Sequence, residues 1–319
     1  MDDTTRSLIP PTSPFLGSPV VDDLDELDAT FAVVGIPHGS PYQMSGVHSD
    51  AANAPQIFRE RVNARFGGHS DRHDFDLGGT LFGDTNCTLV DIGDIDADPR
   101  DLPGNSVAAT EILKSLLQRG TIPIVLGGDD SVPIICARAY ESDKPVINVL
   151  QIDAHIDFRD SVNGVKDGYS SPIRRMAEMP WIGQIVQVGA RATGSARPGD
   201  LEDARRSGNV VITAEQVHRQ GVEVVFDAMN TDLPWFITFD VDGLDPTIAP
   251  GTSCPLPGGL DFRQANQILN EVGRRFGLTG IDIVEHFPSL DVRDMTSLTL
   301  GRLLISLIGN AARKESEDS

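Results

Sequence analysis

The 319-residue chain carries 26 basic and 47 acidic side chains, for a net charge of −21. Such a surface repels nucleic-acid phosphates and anionic lipid and draws small cations. No apolar run reaches the ~18 residues of a membrane-spanning helix, the acidic start Met1–Thr5 does not read as a secretory leader, and the scattered Cys87, Cys136 and Cys254 make no disulfide framework, so a cytoplasmic protein without nucleic-acid or membrane partners is expected.

Length alone would allow two units of ~150 residues. No linker or internal repeat divides the chain, so one domain over residues 29–312 is expected. Residues 1–28, rich in Pro, Ser and Asp, read as an irregular arm, and 313–319 as a charged, frayed tail. In chain order, β-branched runs predict strands at Phe31–Ile36, Thr88–Ile92, Ile122–Leu126, Val146–Ile152, Ile185–Val188, Val210–Ile212, Trp235–Val241 and Gly280–Val284. Helical patterns fall between and after them at Ala51–Arg65, Ser106–Arg119, Val132–Tyr140, Pro172–Met179, Leu201–Arg206, Ala214–Gln220, Val222–Met229, Phe262–Phe276 and Met295–Ala312. Alternating strands and helices imply an α/β fold with a mainly parallel sheet covered on both faces. Ligands in such sheets bind beyond the carboxyl ends of the strands.

Three acidic clusters sit there. Gly127-Gly128-Asp129-Asp130-Ser131 follows the run Ile122–Leu126, Asp153-Ala154-His155-Ile156-Asp157 follows Val149–Ile152, and Asp240-Val241-Asp242 follows Phe236–Phe239. One Asp-x-Asp pair is ordinarily a turn or a helix cap. Three clusters at strand ends are not, because carboxylates packed together at buried positions need compensation. A divalent cation supplies it, and two suit this number of acids better than one. Mixed carboxylate and imidazole donors fit Mn²⁺, Fe²⁺, Co²⁺ or Ni²⁺ better than a thiolate-bound structural zinc. In an extended chain, alternate residues of Asp153-x-His155-x-Asp157 and Asp240-x-Asp242 point to one side.

These residues resemble the signatures of the ureohydrolases: arginase, agmatinase, guanidinobutyrase and their relatives. Gly127–Ser131 matches a GGDHS motif, Asp153–Asp157 a DAHxD motif, and Thr238–Thr252 with Pro257-Gly258-Gly259-Leu260 the long aspartate-rich motif. Ile283-Val284-Glu285 matches a C-terminal glutamate segment, and Gly35–Pro37 with Ala54–Arg59 the first strand and helix, so the likeness runs from about residue 30 to 310. The resemblance implies a three-layer α/β/α domain with a parallel sheet of about eight strands. It implies two divalent ions, Mn²⁺ first and Ni²⁺ next, ~3.5 Å apart with a bridging hydroxide that attacks the guanidinium carbon. One ion would take Asp130, Asp153, Asp157 and Asp240; the other Asp153, His155, Asp240 and Asp242. Asp157 would shuttle the proton, His155 would serve the catalytic centre, and Glu285 would orient the guanidinium. A small cationic guanidino substrate is expected to give urea and an amine, with an agmatine-like compound first and guanidinoalkanoates, guanidine or N-substituted guanidines and biguanides open. A homotrimer or homohexamer is implied, with a hetero-oligomer with a paralogue also open.

The chain departs from the pattern at three points. Asp130 stands where the family has a histidine. The segment Gly168–Arg175 lacks the family's following histidine, with Tyr169 in its place. Cys254 replaces a threonine. Tyr169, His38 and Asn163 are the further substrate contacts expected, with Ser40, Tyr42 and Gln43 at the pocket mouth; His48, His69 and His73 read as surface or structural. Arg191–Ser195 would shape the rim, and His286 would sit behind Glu285. Two other readings stand beside the enzyme: a metal-poor partner subunit of an active paralogue, and a deacetylase-type metal-dependent amide hydrolase.

Overall fold

The computed structural model describes residues 7–39, 50 and 53–318. Ser40, Tyr42, Gln43 and His48 lie outside the described residues, as does the expected helix start at Ala51. The strands are β1 (Leu8–Ile9), β2 (Phe31–Ile36), β3 (Leu89–Ile95), β4 (Ile122–Gly127), β5 (Ile147–Ile152), β6 (Ile182–Ala190), β7 (Val210–Thr213), β8 (Trp235–Asp240) and β9 (Leu278–Val284). They form one nine-stranded sheet in the order β1-β3-β2-β4-β9-β8-β5-β6-β7. All neighbours are parallel except β1, which pairs antiparallel with β3 through Leu8↔Ile95 and Ile9↔Asp94.

The helices are α1 (Ala54–Phe66), α2 (Leu102–Gln118), α3 (Val132–Arg138), α4 (Pro172–Ala177), α5 (Asp200–Arg206), α6 (Ala214–Gln220), α7 (Glu223–Ala228), α8 (Phe262–Glu271) and α9 (Met295–Asp318). Because successive strand residues face opposite ways, each strand feeds two cores. Val33, Ile124 and Leu150 pack with α1, α8 and α9 on one face. Val34, Val125 and Val149 pack with α2 and α3 on the other. That is the expected three-layer arrangement. The central strands are buried on both faces, which is why they read as continuous apolar runs rather than alternating ones.

Both chain ends differ from their sequence reading. The segment before residue 28, expected to be irregular, contributes β1 and a buried plug. Phe15 is fully buried, stacks on Phe58 with ring centres 6.1 Å apart, and donates its N–H to Asp91 Oδ2 at 2.8 Å. A two-residue strand and a Pro-flanked turn carry too little periodicity to be read. At the other end α9 continues through Asp318 where a frayed tail was expected. Its part Met295–Glu315 is long and apolar enough to cross a membrane by length and composition, yet 78% of the 18-residue window that qualifies it is buried inside the fold. That is the position of a core helix.

One buried ion cluster ties α1 to β3. Arg59 bonds Asp91 through Nε at 2.8 Å and Nη2 at 3.0 Å, and Asp94 through Nη1 at 2.5 Å. Arg59 and Asp91 are almost wholly out of solvent. Each of their charges is therefore met by an opposite one inside the protein.

Candidate metal centre

The chemistry-bearing residues come from the carboxyl ends of four adjacent strands, β4, β9, β8 and β5. Asp130 follows β4 and starts the turn into α3. Asp153, His155 and Asp157 follow β5. Asp240 ends β8, Asp242 lies in the turn after it, and Glu285 follows β9. Parallel pairing sets their heights, with Ile152 beside Phe239 and Asp240 beside Val284. A cavity of about 140 Å³ opens over these ends, with Asp130, His155, Asp157, Asp240, Asp242 and Glu285 in its wall. Tyr169, Ser253 and Cys254 line it too. A larger cavity of about 340 Å³ lies between α1 and the Phe75 loop, but Asp74 and Asp76 in its wall are already paired with Arg302.

Two sets of three side chains each bring one donor atom within 4.8 Å of the others: Asp153 with His155 and Asp242, and Asp130 with Asp153 and Asp157. Asp153 is common to both. Asp240 is in neither; its Oδ1 accepts the N–H of Asp242 at 2.7 Å, and it lines the same cavity. His155 Nδ1 lies 3.1 Å from Asp242 Oδ2 and 3.3 Å from Asp153 Oδ1.

The backbone is shaped around this cluster. Asp157 and Glu285 sit at φ 40° and 59°, in the left-handed region that residues other than glycine avoid. Such conformations persist only where surrounding contacts hold them, and they concentrate at functional sites. Gly189 in β6 has φ 111°, and a Cβ there would stand 2.6 Å from the Asp153 carbonyl oxygen. A glycine lets β6 pass this close behind the ligand segment.

The electrostatics are lopsided. Burial, followed by the charges of Asp157, Asp153, Asp240 and Glu285, pushes Asp130 well above the usual carboxylate range. Burial and neighbouring carboxylates do the same to Asp153 and Asp240. Burial and then the charge of Asp129 raise Glu285 to about 8, partly offset by the Asp130 N–H it accepts. Burial acts against charge on His155 as well, but Asp242 overrides it and raises the imidazole to about 10. Burial would raise Asp242 too, yet the hydrogen bond and charge of His155 hold it below its ordinary value. Asp130 Oδ2 is buried and has no hydrogen-bond partner among the described residues. A set of buried oxygens and one imidazole, short of positive charge and with an orphaned oxygen, fits a divalent cation by donor chemistry.

The sequence reading missed the supports behind these side chains. Gln151 Nε2 donates to Asp153 Oδ2 at 2.7 Å and Asp157 Oδ2 at 3.0 Å. Gln187 Nε2 donates to Gln151 Oε1 at 2.6 Å, and Asn209 Nδ2 to Gln187 Oε1 at 3.1 Å. This row of buried amides runs across β5, β6 and the start of β7. Arg191, expected at the rim, points its guanidinium at carbonyls, including Asp242 O at 2.7 Å and Leu256 O at 2.6 Å. His286 is buried behind Glu285, 3.2 Å from Ser297 Oγ and edge-on to Phe58.

Two expected contacts lie elsewhere. His38 is buried at the end of β2 beside Asp129, outside the cavity wall, with burial lowering its pKa against the charge of Asp129. Asn163 is exposed at φ 52°, on a turn closed by the Val162–Val165 pairing, which aims that loop at solvent. Cys254 is in the wall, but burial raises its thiol further from ionisation.

The arginase family's sequence profile matches residues 29–309. The chain is 31% identical over 280 residues to a formimidoylglutamase of Halalkalibacterium halodurans, covering 85% of each chain. It is 29% identical over 305 residues to a guanidinobutyrase of Pseudomonas aeruginosa, covering 92% of this chain and 89% of that one. The structure superposes on proclavaminate amidino hydrolase from Streptomyces clavuligerus with a TM-score of 0.78 at 27% identity, over 97% of this chain and 99% of the other. The match spans strands β2 to β9, the helices on both faces and every acidic cluster at the strand ends, so the chain belongs to the arginase family.

Proposed function

We propose that this arginase-family hydrolase holds two divalent cations, Mn²⁺ in preference to Ni²⁺, and splits a guanidino compound into urea and an amine. The observation that carries the reading is the excess of buried carboxylate over positive charge at the ends of β4, β5, β8 and β9. Asp130, Asp153 and Asp157 would hold one ion and Asp153, His155 and Asp242 the other, with Asp240 adjoining both. When bound, such a pair supplies hydroxide near neutral pH by lowering the pKa of water.

The chain's own groups supply the rest. Glu285 faces the cavity with Oε1 held by the Asp130 N–H at 2.9 Å and Oε2 3.4 Å from Ser253 Oγ. Its carboxylate can accept two N–H bonds from a planar guanidinium and so turn the carbon toward the acids. Asp157 lies in the cavity wall beside Asp130 and Asp153 and is braced by Gln151. It can receive the proton of the attacking water and deliver it to the departing nitrogen. Water adds to the guanidinium carbon, the C–N bond to the alkyl nitrogen breaks, and that nitrogen leaves with the proton. Assembly as a homotrimer or homohexamer belongs to the same proposal.

The test is urea release by the purified protein loaded with Mn²⁺ or Ni²⁺, across agmatine, guanidinoalkanoates, guanidine and N-substituted guanidines, with Asp153→Ala as control. N-formimidoylglutamate, assayed for formamide, belongs in the panel because of the formimidoylglutamase relative. Metal-dependent turnover that disappears in the control supports the reading. No turnover of any compound, together with fewer than two ions per chain, contradicts it.

A further inference from the structure

The cavity wall that carries the acids also carries Arg159, two residues beyond Asp157. Three other arginines near it are engaged. Arg174 pairs with Glu178 at 2.9 Å and lies over the Phe158 ring, Arg175 pairs with Asp160 at 3.2 Å, and Arg191 is spent on carbonyls. Arg159 is different. Its backbone N–H is bonded to Ser170 O at 3.1 Å, which fixes the residue in the wall. Its guanidinium makes no hydrogen bond or ion pair with any described residue, although the chain offers 47 acids for 26 bases.

A guanidinium presents five N–H donors in a planar fork shaped for a carboxylate. Placed in a pocket and without an acceptor among the described residues, it is a receptor for an anion on the ligand. It also repels a second positive charge there. Asp200, at the start of α5, is in the same wall, but its Oδ2 already accepts the Arg197 N–H at 2.9 Å.

We propose that Arg159 binds a carboxylate at the far end of the substrate, so that the enzyme prefers ω-guanidino acids to ω-guanidino amines. This rests on the guanidino-hydrolase reading above. Glu285 and the acidic centre take the cationic head; Arg159 takes the anionic tail. The substrate is then a zwitterion read at both ends, and an agmatine-like amine, the first expectation from sequence, meets a like charge.

A matched pair tests this: 4-guanidinobutyrate and agmatine, which carry a carboxylate and an ammonium at corresponding positions. With the metal-loaded protein, kcat/KM for the acid should exceed that for the amine by at least about tenfold, since one charge-assisted contact is gained and one repulsion avoided. Arg159→Met should cut the acid's kcat/KM by on the order of tenfold to a hundredfold, mainly through KM, and raise agmatine's by a few-fold as the like charge is removed. Arg159→Glu should invert the preference, and Arg159→Lys should restore part of it. A melting curve for each variant checks folding.

Calorimetric titration of 4-guanidinobutyrate into metal-free protein gives a readout independent of turnover, with binding expected in the wild type and lost in Arg159→Met. Equal or better use of agmatine by the wild type, or an Arg159→Met variant that weakens both compounds alike, overturns the proposal. If no compound is hydrolysed, the activity reading fails and the titration alone decides: tail binding that survives Arg159→Met overturns the role of Arg159.

Discussion

Two clusters of buried acids in the protein are treated in opposite ways. Between α1 and β3, Asp91 and Asp94 are met by Arg59 at 2.5–3.0 Å. At the carboxyl ends of the central strands, Asp130, Asp153, Asp240, Asp242 and Glu285 crowd together with His155 as the cation among them. The first cluster is complete as folded and serves packing. The second is short of positive charge as folded, and the proposed metal site rests on that shortage.

The largest effect should come from breaking the complete cluster. Arg59→Met leaves Asp91 buried and unpaired, and should destabilise the fold by about 3–5 kcal/mol in urea denaturation. Asp153→Asn, in metal-free protein, should leave stability unchanged or raise it, because it removes a charge from a crowded set. If both substitutions destabilise equally, the two regions do not differ as argued.

Next in size is metal addition. Saturating Mn²⁺ at ~100–1,000 times its Kd should stabilise the wild type by about 3–4 kcal/mol. Asp153→Asn should lose that gain. Thermal melts with and without Mn²⁺ in the two proteins check this.

A buried acid outside both clusters sharpens the contrast through pH. Asp282 in β9 is fully buried, and neither of its oxygens makes a hydrogen bond of ordinary geometry to a described residue. Burial raises it to about 7, partly offset by Thr238, the Phe239 N–H and Cys136 beside it. The folded state therefore holds a proton that the unfolded chain releases near pH 4. Its contribution is complete below that pH and is lost as pH rises through about 7, with a slope of up to ~1.4 kcal/mol per pH unit. In Asp282→Asn the loss between pH 4 and 7 should be smaller than in the wild type by that slope; identical profiles from denaturant titrations would count against a neutral Asp282.

The smallest effect belongs to the amide row. Gln187→Leu removes the partner of Gln151 and Asn209, and should cost about 1–3 kcal/mol for the groups left unpaired. It should also weaken metal binding by on the order of tenfold or more, because Gln151 orients Asp153 and Asp157. Metal affinity unchanged in a destabilised variant would reduce the row to a packing feature.

Much of the centre was legible because its acids are contiguous in sequence and fall at strand ends. The apolar runs of β2, β4, β5 and β8 were equally plain. What could not be read is whatever only folding brings together. Gln151 and Gln187 are 36 positions apart, and neither amide reads as more than a strand residue. Gly183-Gln184 on one side and Gly189-Ala190 on the other bound the β-branched core of β6, so that strand looked four residues long rather than nine. The start of α2 was missed because Leu102-Pro103-Gly104 reads as a breaker. Asp101 in fact caps it by accepting the Gly104 N–H, and the proline occupies a first-turn position that needs no donor. Arg159 had no signal, since a cation with no partner among the described residues is visible only when its neighbours are placed.

The most direct test of the account is the number of divalent ions the acidic centre holds. Equilibrium titration of metal-free protein with Mn²⁺, followed by metal analysis after gel filtration, should give two ions per chain in the wild type and fewer in Asp153→Asn. One ion or none in the wild type, or two in the variant, would contradict it.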